Sequence, residues 1–268
     1  MTNAELFAFL FAHPTAEVEE ILIRWILQSR RFQSFMVEYR AKVRKKRRLA
    51  RTPESLQSLL LELDLARHLV EEPRCRVEYE KYGQGKERNP DITVTFRTRT
   101  CFNLEATRVQ MAQGEAEGRT EKLIRIVCDK LGQSVPQMLN CLVVAAEGVS
   151  MTDDEVNMAM KSLKRRVEQR DGERLSHVDF NDPSDFYKQF QWLNGIVLCS
   201  PSEQRDSPKT IVWTNSQSRN PLPPDIHRIL QTTISLTPTH GKGRHPSEES
   251  DSSHNIRDTA PSVSDHYN

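Results

Sequence analysis

Three acidic residues in the first half of the chain are spaced so that a fold could gather them. Between Ile92 and Phe96, and again between Phe102 and Ala106, apolar and polar residues alternate, the period of a half-buried strand. Alternation puts Asp91, Thr93 and Thr95 opposite the apolar face of the first strand, and Asn103, Glu105 and Thr107 opposite that of the second. Pairing through a turn at 97–100 brings the acid of one strand near that of the other. Glu62 is a third acid, on a preceding helix beside Leu59, Leu63 and Ala66, at the margin of its apolar stripe. Carboxylates brought together repel unless a cation neutralises them, and a hard divalent ion with oxygen ligands does so economically. Such a constellation could hold Mg²⁺.

The elements that must position these acids follow from periodicity. Val18, Ile21, Leu22, Trp25 and Ile26, then Phe32, Phe35, Met36, Tyr39 and Val43, form helical stripes. A third helix opens near Pro53 and runs through Leu56, Leu59, Leu60, Leu63, Ala66 and Val70. The period changes to two over Arg76 to Lys81, 92–96 and 102–106, with glycines at 83 and 85 and the polar 97–100 as turns. Helical spacing returns at Leu123, Ile126, Val127 and Lys130, and Leu142 to Ala146 reads as a buried strand. Thr152 with Glu155 is a capping box for a helix through Val167. Strands at 196–199 and 211–214 and a short helix at 225–231 close the series. The expected fold is α/β, a mixed central sheet flanked by helices, with an N-terminal helical region (1–52), an α/β domain (53–236) and a disordered tail (237–268). From residue 241 on, ten residues are Gly, Pro or Ser and four are apolar, too few to offset the entropy of ordering.

At these residues the chain resembles a family. Pro90-Asp91, thirteen intervening residues and Glu105-Ala106-Thr107, with Glu62 upstream on a helix, are similar to the PD-(D/E)XK nuclease superfamily, whose core runs helix, three strands, helix, strand. The likeness extends through "ELDLARHLV", "YEKYGQGKERNPDITVTF", "FNLEATRV" and "KLGQSVPQMLNCLVV", about residues 54 to 147, and weakly through "IVWTNSQSRNPLP". It implies a restriction-endonuclease-like core, hydrolysis of nucleic acid, and Mg²⁺ or Mn²⁺ on Asp91, Glu105 and the carbonyl of Ala106, supported by Glu62.

The resemblance also implies a lysine at position 107, where this chain has Thr. Such a lysine would align the attacking water and offset charge developing on the phosphate. The family relocates it in places to the following helix, and here Lys130 lies on the inward stripe of that helix with Gln133 a turn further along. Arg108 is a poorer substitute, because alternation points it away from Glu105. Thr107 keeps a second expectation open: a catalytically inactive module of the same fold that binds nucleic acid or a protein.

Charge is balanced overall, Lys+Arg 38 against Asp+Glu 37, so no global basicity announces nucleic acid. It is uneven along the chain. From Arg24 to Arg51 there are eleven cations and one acid, Glu38, and within that run Arg44, Lys45, Lys46, Arg47 and Arg48 suit phosphate contact; an ordinary solvated helix face is the plain alternative. The expected partner is nucleic acid, DNA first, with a homo-oligomer compatible. The apolar run from Leu6 to Ala12 lacks a basic lead-in and is too short to span a bilayer, so neither a secretory signal nor a membrane anchor is expected, and a cytoplasmic location is. Five cysteines without a CxxC pair argue against structural zinc and a disulfide framework. The eight histidines form no i, i+4 pair, and no glycine-rich phosphate loop follows a strand.

Overall fold

The architecture is taken from a computed structural model, which describes residues 1–11, 17–82, 89–111, 116–148, 151–169, 182–200 and 210–234. The expected glycine turn at 83–85 and tail at 237–268 lie outside these residues. The described elements are α1 (Asn3–Leu10), α2 (Glu17–Gln28), α3 (Arg30–Leu49), α4 (Pro53–Glu71), β1 (Cys75–Tyr79), β2 (Ile92–Phe96), β3 (Thr100–Gln110), α5 (Ala116–Leu131), β4 (Leu139–Glu147), α6 (Asp153–Glu168), α7 (Pro183–Phe190), β5 (Leu193–Cys199), β6 (Thr210–Thr214) and α8 (Pro224–Thr233).

The sheet has six strands in chain order. β1, β2 and β3 run antiparallel as two successive hairpins, β3, β4 and β5 are parallel, and β6 returns antiparallel at the far edge. The parallel pairs follow from their connections: α5 carries the chain from β3 back to the start of β4, and α6 and α7 carry it from β4 to β5. The hairpin between β2 and β3 is closed by Arg97 and Thr98, both with positive φ (47° and 63°), the backbone that matches strand twist in a tight turn.

Two apolar cores lie on the two faces. Ile92, Val94, Phe102, Leu104, Val143 and Val197 face one way, against α1 to α4 and α8. Leu142, Val144, Ile196 and Leu198 face the other, against α5, α6 and α7. Helices of the 1–52 region thus share one core with the sheet: Leu6, Leu22, Trp25 and Phe32 are buried in it beside Leu60 and Leu63 of α4. Two helices were not expected from periodicity. α1 is set by a capping box between Thr2 and Glu5, and α7 by Asp182 capping ahead of Pro183, with Phe186 and Phe190 buried and stacked at 5.1 Å.

Candidate functional site

The hairpin register builds the site. Tyr79 pairs with Ile92, and Ile92 with Leu104. One step beyond that row come Glu80, Asp91 and Glu105, so three acids meet where β1 and β2 leave the sheet and β3 continues. Glu80 follows β1 in the left-handed backbone region (φ 45°), uncommon for a residue with a Cβ, and its N–H donates to the Asp91 carbonyl at 2.9 Å. Freed from the ladder, Asp91 turns one carboxylate oxygen onto the backbone of the neighbouring strand: the Ala106 N–H donates to its Oδ2 at 2.9 Å. In extended chain the N–H and C=O of one residue point to the same edge. The carbonyl of Ala106 therefore leaves toward Asp91 as well.

Two groups of charge meet at Asp91. On the α4 side, Glu62 accepts from the Tyr79 hydroxyl at 2.5 Å and from Lys46 Nζ at 2.6 Å. Lys46 also reaches Glu80 Oε1 at 3.1 Å and Asp91 Oδ1 at 3.2 Å. On the α5 side, Lys130 donates to Glu105 Oε1 at 2.8 Å and to Gln133 Oε1 at 3.2 Å. The second oxygen of Glu105, Oε2, is buried and has no hydrogen-bond partner. Glu105 also lines a pocket with Pro90, Asn103, Lys130, Gln133 and Ser134. All the acids named for the site from sequence are thus brought together, with Lys130 and Gln133 beside them. Arg108 takes the opposite direction, as alternation requires, and pairs with Glu147.

The electrostatics register this crowding. Burial, then the charge of Asp91, pushes Glu62 up to about 7, against the pull of Lys46 and Tyr79. The same two causes push Glu105 up to about 7 against Lys130. Burial works against the charge of Lys46, but Glu62 and Asp91 outweigh it and hold the ammonium above its ordinary range. Burial and Glu62 raise the Tyr79 phenol well above its usual value, so it stays a hydrogen-bond donor.

A polar row buried beneath the site fixes the strands that carry it. The Thr93 hydroxyl donates to Asn103 Oδ1 at 2.9 Å, and Asn103 Nδ2 to Asn140 Oδ1 at 3.1 Å. Asn140 Nδ2 then meets the carbonyls of Val135, Met138 and Trp192 at 2.9, 3.0 and 3.0 Å. This ties the loop after α5, and hence Gln133 and Ser134, to the centre of the sheet. Unpaired amides would be costly at such depth, and the side chains of this row pair with one another.

The basic run divides by helical spacing. Val43, Lys46 and Arg47 lie on the inner side of α3: Val43 is buried, Lys46 enters the acid cluster, and Arg47 pairs with the buried Glu19. Lys46 and Arg47, counted from sequence among the phosphate-contacting residues, are thus engaged by carboxylates within the fold. Arg44, Lys45 and Arg48 are exposed, Arg44 lying over the Phe9 ring at 4.6 Å. Sequence reasoning missed Glu80, Tyr79 and the inward role of Lys46. The signal for the acidic row is the β1–β2 register: one step past the Tyr79–Ile92 pair, Glu80 stands opposite Asp91.

Among the described residues no group of three or more His, Cys, Asp or Glu side chains is disposed to hold a metal ion. Lys46 is already paired with Glu62 and Glu80. A smaller donor set suits Mg²⁺ better: Asp91, Glu105 and the Ala106 carbonyl, all oxygen, with Oε2 of Glu105 the atom that lacks a hydrogen-bond partner. One or two carboxylates completed by water and substrate phosphate are the usual protein ligation of this ion. The sequence matches no protein-family model and no curated protein.

Proposed function

We propose that this chain is a metal-dependent phosphodiesterase acting on nucleic acid, with the site at Asp91 and Glu105. The observation that carries the reading is the buried, unpartnered Oε2 of Glu105, on a carboxyl group whose other oxygen takes Lys130 and which feels the charge of Asp91. The likeness to the PD-(D/E)XK superfamily supports it, since the helix, three strands, helix, strand order of that core matches α4 to β4. Mg²⁺ or Mn²⁺, when bound, supplies a water of lowered pKa and polarises a phosphoryl oxygen. Asp91, Glu105 and the Ala106 carbonyl would hold the ion, and the Ala106 N–H keeps Asp91 oriented. Lys130 places an ammonium beside Glu105 where negative charge grows on the phosphate, in the role left open by Thr107. Gln133 holds Lys130, and Glu62, fixed by Tyr79 and Lys46, supplies negative potential without leaving α4. Arg44, Lys45 and Arg48 would meet the phosphate backbone, DNA being the first substrate to test. No described helix is long and apolar enough to cross a membrane, and the cytoplasm is the compartment proposed.

One observation favours a second reading. Lys46 contacts three carboxylates by itself, and with Thr107 this favours a site held together without metal: a noncatalytic module binding nucleic acid or a protein. Cleavage of end-labelled single- and double-stranded DNA and RNA with Mg²⁺ or Mn²⁺ separates the two. The expected result is cleavage that Asp91→Asn abolishes with the fold retained, because an amide keeps the shape and removes the charge. Equal cleavage by that variant, contaminants excluded, would rule out the site, and an inert parent would favour the module.

A further inference from the structure

One carboxylate oxygen of Asp91 is free of the backbone, and Lys46 is on it. Its Oδ2 is held by the Ala106 N–H at 2.9 Å, which leaves Oδ1, the atom that Lys46 Nζ contacts at 3.2 Å. An ammonium has three protons to donate, and the three acceptors here are Glu62, Glu80 and Asp91 at 2.6, 3.1 and 3.2 Å. The Asp91 contact is the longest. The lysine head sits 5.2 Å from the centre of the Tyr79 ring, so its approach runs along an aromatic wall. Glu80 is kept in place from the other side, since Lys42 Nζ donates to the carbonyls of Tyr79 and Glu80 at 2.8 and 2.7 Å.

We propose that Lys46 is a built-in cation that competes with the divalent ion for Asp91, so that metal entry and withdrawal of Lys46 from Asp91 are one event. This rests on the metal-binding part of the function proposed above. Two cations on one carboxylate oxygen repel, and Lys46 has somewhere to go: after giving up Asp91 it keeps Glu62 and Glu80, so its charge is never left unpaired. The arrangement holds the acids together without metal and sets the metal affinity below what the same oxygens would have alone. It also accounts for Glu80, which has no part in the ligand set yet is placed where a withdrawn ammonium needs an acceptor.

The test is calorimetric titration of Mn²⁺ into the full chain and into Lys46→Met, which keeps the stem and removes the charge. The variant should bind Mn²⁺ at least about tenfold more tightly, about 1.4 kcal/mol. Equal or weaker binding by the folded variant overturns the competition while leaving the metal site standing. Binding by the variant alone supports it in the extreme form, with Lys46 closing the site, and counts against catalysis by the parent. Binding by neither overturns both proposals. Should Lys46→Met fail to fold, the parent decides: reductive methylation followed by mass spectrometry should find Lys46 several-fold more reactive in saturating Mn²⁺, relative to Lys45. Reactivity unchanged by the metal would overturn the inference.

Discussion

Replacing Glu105 by Gln should stabilise the metal-free protein at alkaline pH. Burial, followed by the charge of Asp91, lifts Glu105 from 4.5 to about 7. An acid whose folded-state pKa lies above its unfolded-state value supports the fold fully below the lower value. It loses that support as pH rises through the higher one, because the folded form must then carry a charge it disfavours. The window is pH 4.5 to 7, and at 1.36 kcal/mol per pH unit the loss approaches about 3 kcal/mol. Glu62 is raised into the same range and the two titrate together, so the share of Glu105 is read from the variant. Gln keeps the volume and cannot ionise. Lys130, a quarter exposed, retains Gln133 and can turn its head to water, which keeps the cost of losing the ion pair small. Urea denaturation in chelator should find parent and Glu105→Gln within about 1 kcal/mol of each other at pH 5, where Glu105 is neutral in the folded parent. At pH 8 the variant should be more stable by roughly 2–3 kcal/mol, a melting shift of several degrees at about 2–4 °C per kcal/mol. Mg²⁺ should narrow or reverse that order, since it stabilises only the form that binds it. A variant no more stable at pH 8, or one with the parent's slope between pH 5 and 8, would refute a desolvated carboxylate at this position.

Two further outcomes concern catalysis and binding. Lys130→Met should lower the cleavage rate by on the order of 10² with little change in metal or nucleic-acid affinity, as for loss of one electrostatic stabiliser. Adding Thr107→Lys should restore part of the rate, because position 107 shares its strand face with Glu105; cleavage by Lys130→Met at the parent rate would exclude that role. Binding to duplex DNA should weaken with salt at a log-log slope of roughly −0.9 per phosphate contact. Changing Arg44, Lys45 and Arg48 to Ser should flatten that slope, and an unchanged slope would leave the outer side of α3 an ordinary solvated surface.

The sheet was legible in the sequence because β1 to β3 announce themselves by alternation, the later strands by short apolar runs, and the helices by caps and stripes. The switch of period between α4 and β1, and back at α5, is enough to give the mixed sheet flanked by helices. Alternation also placed Glu105 and Arg108 on opposite faces, and helical spacing put Lys130 within reach of Glu105. The remainder depended on contacts between elements distant in sequence. In α3 the dense run of cations hides the i, i+3, i+4 pattern of Val43, Lys46 and Arg47, because a lysine that turns inward looks like one that does not until its acceptors are known. Those acceptors lie on α4 and at the ends of β1 and β2. Glu80 needed the register of a hairpin whose turn lies beyond it. The Thr93, Asn103 and Asn140 row escaped because a buried amide and a solvated one have the same letter; only the pairing of β2 with β3 and β3 with β4 makes them a chain.

The most direct test of the metal reading is anomalous scattering from crystals of the full chain soaked in Mn²⁺. A peak is expected bonded to Asp91 Oδ1, a Glu105 carboxylate oxygen and the Ala106 carbonyl, absent from Asp91→Asn crystals grown alike. Fully loaded crystals with no peak there, or with Mn²⁺ bound only elsewhere, would contradict that reading.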